Sequence, residues 1–457
     1  MSGFGAKLAL ARALGAASRA SGRGGGTTLP GRVLLRLQPD AIARLGSRLA
    51  AGSTIVSATN GKTTTAGMIA AALAAEGRQP VHNRAGSNMT WGVATALLEQ
   101  HGEEGLFEVD EAWLPKVTAE LEPSLIVLGN LFRDQLDRYG EMEALADEWA
   151  RVAATRAGVT AFALNADDPL IADLGRDEAE RPREGVVYFG IEDHSQALPE
   201  LQHAFDAKHC RRCGNPYAYE VAFVGHLGHY SCPTCGAERP HPEVAATKIE
   251  LLGMDGSRST VRTPAGEIEL RLPLPGLYNV YNALAAIAAA LHLGVAPERI
   301  ASALGEMRAA FGRVETIAVG EIDVSILLIK NPAGANEVLR TLALEAASGP
   351  LDLWIALNDR TADGRDVSWV WDADFELLAA SVRRVVCAGT RAPEMALRLK
   401  YAGWPEERIE VEPAIEASLD RAVAGADGQL FALPTYTALL ELRKLLAGRG
   451  LAKEFWQ

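Results

Sequence analysis

No run of eighteen or more apolar residues occurs in this sequence, so no segment reads as a membrane-spanning helix. Positive charge is in deficit: 45 Lys and Arg face 58 Asp and Glu, a formal net charge of −13. That argues against a nucleic-acid partner, because binding phosphates needs a basic surface. An uninterrupted apolar leader is also missing. The N-terminus is alanine-rich, but Lys7, Arg12 and Arg19 break the stretch a secretory signal needs, and the cytoplasm is the expected compartment. Cysteine is scarce, with five residues in all. In a chain without a secretory signal, paired cysteines mean metal far sooner than disulfide.

The composition is that of a globular protein able to bury sizeable cores. The length predicts two to four domains at roughly 100–200 residues each. Residues 1–48 form a basic helical segment with eight Lys or Arg and one acid, Asp40. Its ordinary reading is an amphipathic helix with a solvated face; the sharper one is attraction to anionic lipid at the inner membrane face.

Short β-branched and aliphatic runs at 53–58, 125–130, 161–165 and 186–190 alternate with helical stretches such as AGMIAAALAAEG. That alternation predicts an α/β fold on a parallel sheet covered on both faces. Texture changes between about 205 and 240, where Cys, Gly, His and Tyr dominate, as in an insertion. Four more short strands, at SILLIKN, LDLWIALN, RRVVCAG and QLFALPT, predict a second α/β domain. Boundaries are expected at 49–312 for the first domain and 313–457 for the second, with AAFGRVE (309–315) as the hinge.

Thr59-Asn60-Gly61-Lys62-Thr63-Thr64 lies where a strand ends and a helix begins, the place where backbone N–H groups collect a phosphate. Lys62 would neutralise the outer phosphates of ATP and Thr63 would ligate Mg²⁺. Lys62 is expected to supply charge and to pack against nothing. The general phosphate-loop pattern asks for glycine at position 56, where this chain has Val56. Cys210, Cys213, Cys232 and Cys235 form two CxxC pairs separated by eighteen residues, and Gly214 and Gly236 follow them. This spacing predicts a structural zinc ribbon with no open coordination site. His226 and His229 are expected on its hairpin. Cys387, in an apolar run, is expected on a buried strand.

In order along the chain, TNGKTT, EVDE (108–111), NLFRDQLD (130–137), LNADDP (164–169), GLYNVYN (276–282) and GRVE (312–315) resemble the motifs of the Mur ligase family. Gln135 and Tyr278 stand where that family commonly has histidine. The ribbon and three C-terminal stretches, at 356–376, 389–403 and 433–444, resemble the MurT-type members. The resemblance implies a Mur-ligase-like ATPase domain carrying the ribbon, followed by a Rossmann-like C-terminal domain. It implies that Thr59 to Thr64, Asn279, Asn282 and Arg313 bind ATP, and that Glu108 holds Mg²⁺ with Thr63. It implies an amidating ligase acting on lipid II at the membrane surface, fed with ammonia by a separate GatD-type glutaminase. Asp366, just before Ser368 and Trp369, is the residue expected to complete that partner's catalytic triad; Asp363 and Asp372 are the alternatives. Rival readings are an amino-acid-adding ligase, including the folylpolyglutamate type, and an ATP-binding zinc-ribbon scaffold. Coupling of an amino acid without a partner would favour the first, and ATP binding without carboxylate-stimulated hydrolysis the second.

Overall fold

The computed structural model describes residues 3–20, 28–83, 87–134, 142–177, 181–202, 205–307 and 314–452. Its first sheet is laid down by β1 (Ser53–Ser57), β2 (Val81–His82), β3 (Gly105–Glu108), β4 (Leu125–Leu128), β5 (Ala161–Asn165) and β6 (Val186–Ile191). After a separate hairpin of β7 (Ala218–Val224) and β8 (Leu227–Ser231) come β9 (Val244–Leu251), β10 (Ser257–Thr263) and β11 (Gly266–Leu272). The strand order is β11-β10-β9-β6-β5-β4-β1-β3-β2. Every neighbour from β2 to β9 pairs in parallel, whereas β9, β10 and β11 form an antiparallel extension.

β1 is buried at all five residues because the sheet is covered on both sides. Successive side chains point to opposite faces. Val56 packs with Met68, Ile69, Leu284 and Ile287 of the helices Lys62–Ala75 and Leu277–His292. Ile55 packs with Leu34, Ile42, Leu97 and Val117 on the other face. The expected parallel sheet is therefore mixed, and the difference has a cause in the sequence. β10 and β11 alternate buried and exposed residues with period two, the pattern of a strand wet on one side.

The second sheet contains β12 (Val314–Val319), β13 (Ile322–Leu327), β14 (Leu351–Ala356), β15 (Val382–Ala388), β16 (Ile409–Val411) and β17 (Gln429–Pro434). Their order is β12-β13-β17-β14-β15-β16, with β12 antiparallel and the rest parallel. The four expected strands are present. β12 and β16 are additions at the two edges, each too polar or too short to stand out as an apolar run. Cys387 is buried on β15, and burial pushes its thiol up to about 12.

Candidate functional site

The loop between β1 and the helix Lys62–Ala75 turns at Gly61, with φ of +93°. A Cβ there would stand 1.9 Å from Asn282 Oδ1, so glycine is required by backbone conformation and by space. Asn282 comes from the helix Leu277–His292 and also accepts a hydrogen bond from Thr65 Oγ1 at 3.3 Å. Its Nδ2 donates to Asn279 Oδ1 at 3.0 Å. Of the two asparagines of GLYNVYN, Asn282 meets the phosphate loop and its helix, and Asn279 supports Asn282 from behind.

Behind the loop lies the segment after β4. Asn130 accepts from the Asn60 N–H at 2.9 Å and donates to the Asn60 carbonyl at 3.0 Å. The Phe132 N–H donates to Thr59 Oγ1 at 3.1 Å. Of NLFRDQLD, Gln135, Leu136 and Asp137 lie outside the described residues, as do Gly312 and Arg313.

Lys62 is corrected from its expected role as a side chain that packs against nothing. It is 8% exposed and donates to Glu111 Oε2 at 2.7 Å and to the Ala58 carbonyl. Burial alone would push its ammonium down, but Glu111, Asp110 and Glu108 hold it above its ordinary value. Glu111 is buried as well, and Lys62 and Lys330 draw its carboxyl below the usual range against that burial. Asp110 and Glu111 are both buried. Asp110 accepts from the Ala112 N–H, and Glu111 is half of an ion pair within the site. Glu108 ends β3, opposite Val56, and is 4% exposed. Thr63 and Thr64 occupy the first turn of the helix that Lys62 opens. A loop fitted to phosphate, with Thr63 and a carboxylate at hand, offers hard oxygen ligands of the kind Mg²⁺ takes.

The second sheet closes on this loop. Lys330 Nζ donates to Asp134 Oδ2 at 2.6 Å and to the Thr59 carbonyl at 3.3 Å. Asn331 and Asn60 exchange side-chain hydrogen bonds at 3.0 and 3.3 Å, while Asn331 Oδ1 also caps the helix Pro332–Glu345. Between the two sheets lies an open cleft lined by Arg133, Lys330, Asp363, Asp366, Trp369 and Asp372, among others. Sequence reasoning assigned no role to Lys330, Asn331 or Asn130, although the Asn-Pro pair at 331 and 332 is itself a helix-start signal.

The three loop acids differ in what holds them. Asp363 is 6% exposed and accepts from the Thr437 N–H at 2.7 Å and from Thr437 Oγ1. Burial nonetheless raises its carboxyl above the usual value. Asp372 faces Arg133 at 3.3 Å. Asp366 is exposed and accepts from the Ser368 N–H at 2.8 Å, and the Ser368 hydroxyl together with that N–H keeps its carboxyl below the ordinary value.

Residues 192–243, which connect β6 to β9, bring the four cysteines together. Their sulfurs lie within 4.8 Å of one another, with 3.6 Å for Cys210–Cys235 and 3.4 Å for Cys213–Cys232. Sulfurs about 2.3 Å from a tetrahedral ion would stand roughly 3.8 Å apart, so the geometry fits. Gly214 and Gly236, both at positive φ, return their N–H groups to the carbonyls of Cys210 and Cys232 at 2.8 and 2.9 Å. His226 lies in the turn between β7 and β8, and its ring packs on Phe132 at 4.7 Å. Arg239 donates to Asp167 Oδ1 at 2.6 Å, and Tyr281 Oη donates to Asp167 Oδ2 at 2.7 Å. The insertion is thereby tied to LNADDP and to the helix that carries Asn282.

A largely parallel sheet, a loop suited to phosphate, a buried lysine and a second sheet closing on that loop are the parts of a nucleotide-binding type of site. The Mur ligase middle-domain model matches residues 56–230 and 229–290, and the MurT ligase C-terminal model matches 328–439. The chain is 34% identical over 437 residues to the MurT subunit of lipid II isoglutaminyl synthase (glutamine-hydrolyzing) from Streptococcus pneumoniae, covering 94% of each. It is 32% identical to the same subunit from Staphylococcus aureus strain N315, covering 96% of each. In fold it is similar to a type C pseudomurein peptide ligase from Methanothermus fervidus, with a TM-score of 0.67, 23% identity and 87% and 78% of the two chains covered. The chain belongs to the MurT family of Mur ligases.

Proposed function

We propose that this protein amidates the α-carboxylate of D-glutamate in the lipid II stem peptide, giving D-isoglutamine. The observation that carries this reading is the near full-length similarity to two lipid II isoglutaminyl synthase subunits, extending through the C-terminal domain. A carboxylate is a poor electrophile, so it first takes the γ-phosphoryl group of ATP, releasing ADP, and ammonia then attacks the acyl phosphate, expelling inorganic phosphate and losing a proton to give the amide. Thr59 to Thr64 hold the phosphates, with Lys62 as the cation on the transferring group, and Asn282, supported by Asn279, keeps the loop in place. Thr63 and Glu108 hold the Mg²⁺, which supplies charge neutralisation when bound. Lys330 and Asn331 complete the site from the C-terminal domain.

The cysteine quartet is a structural zinc ribbon, and the second sheet with its helices is a Rossmann-like domain. The domain limits proposed are 1–48, 49–312 and 313–457. Ammonia comes from a GatD-type glutaminase whose Cys and His are completed by Asp366. Of the loop acids, Asp363 is committed to Thr437 and Asp372 to Arg133, whereas Asp366 is exposed at the cleft rim. An acid that orients a partner's imidazole has to be free to reach it.

The test is Asp366→Asn in the reconstituted complex. Glutamine-dependent amidation should be lost, with ATP binding intact and activity partly restored by free ammonia. Normal glutamine hydrolysis by the variant would overturn the role of Asp366. Failure of the wild-type complex to amidate lipid II with either nitrogen source would overturn the reaction itself.

A further inference from the structure

The helix Gly3–Ala20 has the reverse of the usual surface-helix pattern. Its inner side, with Phe4, Leu8 and Ala11, packs into the core that covers the first sheet. At 100° per residue, the opposite side presents Ala6, Ala9, Leu10, Ala13, Leu14, Ala16 and Ala17. All are exposed and all are apolar, with Leu10 at 49% and Leu14 at 39%. A water-facing helical side ordinarily carries charge. Here the charge lies at the borders. By the same spacing Lys7 flanks the apolar face on one side and Arg12 on the other, anchored by Gln38 Oε1 and the Leu98 carbonyl.

Charge segregation is the second, independent observation. The first 48 residues carry eight Lys or Arg and one acid, a net of +7 in a chain whose total is −13. The one acid, Asp40, is engaged by Arg44 at 2.7 Å. An apolar face bordered by cations and free of carboxylates complements an anionic lipid surface, where acyl chains take the leucines and headgroups the cations. It does not suit water. We propose that this face docks the protein on an anionic bilayer, with Leu10 and Leu14 entering the headgroup boundary. The inference rests on and extends the proposed function, whose substrate is lipid-linked: docking would hold the protein at the surface that carries that substrate.

The experiment is co-sedimentation of the full chain with vesicles of phosphatidylcholine, with and without one third phosphatidylglycerol. Wild type should pellet with the anionic vesicles and be released by salt. Leu10→Glu/Leu14→Glu should weaken that binding by about tenfold or more. Ala9→Glu/Ala13→Glu, on the same exposed face, should do likewise, which guards against misfolding of one variant. Both should keep wild-type circular dichroism and wild-type ATP binding. Absence of anionic-vesicle binding by wild type, or unchanged binding by both folded variants, overturns the proposal. So does a change in solution mass caused by the substitutions, which would assign the face to a second copy. No turnover is measured, so a wrong substrate assignment leaves the vesicle result standing.

Discussion

Asp206 of the cysteine-bearing insertion holds Arg133, three residues past Asn130 on the strip behind the phosphate loop. One carboxylate oxygen accepts from the Arg133 backbone N–H at 3.0 Å and the other from its guanidinium. Asp206 draws the guanidinium above its ordinary value against the effect of partial burial. The strip it fixes is the one whose Asn130 and Phe132 grip Asn60 and Thr59. Hydrogen bonds to charged groups contribute roughly 1.5–3 kcal/mol. Asp206→Asn is therefore expected to raise the KM for ATP by about tenfold or more, with a smaller effect on kcat and unchanged metal content. Steady-state kinetics over an ATP series checks this, and an unchanged KM would make the contact merely structural.

The Lys62–Glu111 pair changes what a lysine substitution should do. Removing one partner of a buried ion pair leaves the other charge uncompensated, at a cost of roughly 3–5 kcal/mol. Lys62→Ala should lose ATP turnover and also melt at a lower temperature. Lys62→Met/Glu111→Gln should recover most of the melting temperature and none of the turnover. Calorimetry and a phosphate-release assay separate the two effects.

Glu337 supplies a pH dependence. It is 1% exposed on the helix Pro332–Glu345, and burial raises its carboxyl to about 7, with Arg340 and the Tyr278 backbone pulling the other way. A carboxyl that stays protonated in the folded chain but ionises near 4.5 when unfolded contributes stability at acid pH. That contribution is lost as pH rises from about 4.5 to 7. Glu337→Gln should thus be more stable than wild type at pH 8, by about 3 kcal/mol, and no more stable near pH 4. Denaturant titrations at the two pH values decide it.

For the cysteine quartet, metal analysis of protein purified without added zinc should give about one zinc per chain. Cys232→Ser should lower it sharply, because thiolate ligation and folding of the insertion are coupled. Full titration of four thiols in the native state would contradict this.

The sequence made visible whatever depends on local chemistry. β1, the helix at Lys62 and the cysteine spacing follow from β-branched runs, a loop glycine and knuckle glycines within a few residues of each other. It hid what depends on distant approach. Asn282 reaches Gly61, Asn331 reaches Asn60 and Asp206 reaches Arg133 across long stretches of chain, and such contacts leave no periodicity behind. The role of Lys62 was half legible: its charge was readable from the loop, its burial against Glu111 was not.

β6 and β9 are parallel neighbours, paired from Phe189 opposite Val244, and parallel neighbours need a crossover, ordinarily a helix. Here that crossover contains the cysteine hairpin. The cysteine-bearing insertion is therefore no appendage that could be trimmed to leave a smaller ligase. Excising residues 192–243 would strand β9, β10 and β11 from the sheet, so an engineer seeking a version without the cysteines must graft a helix of matching span in its place.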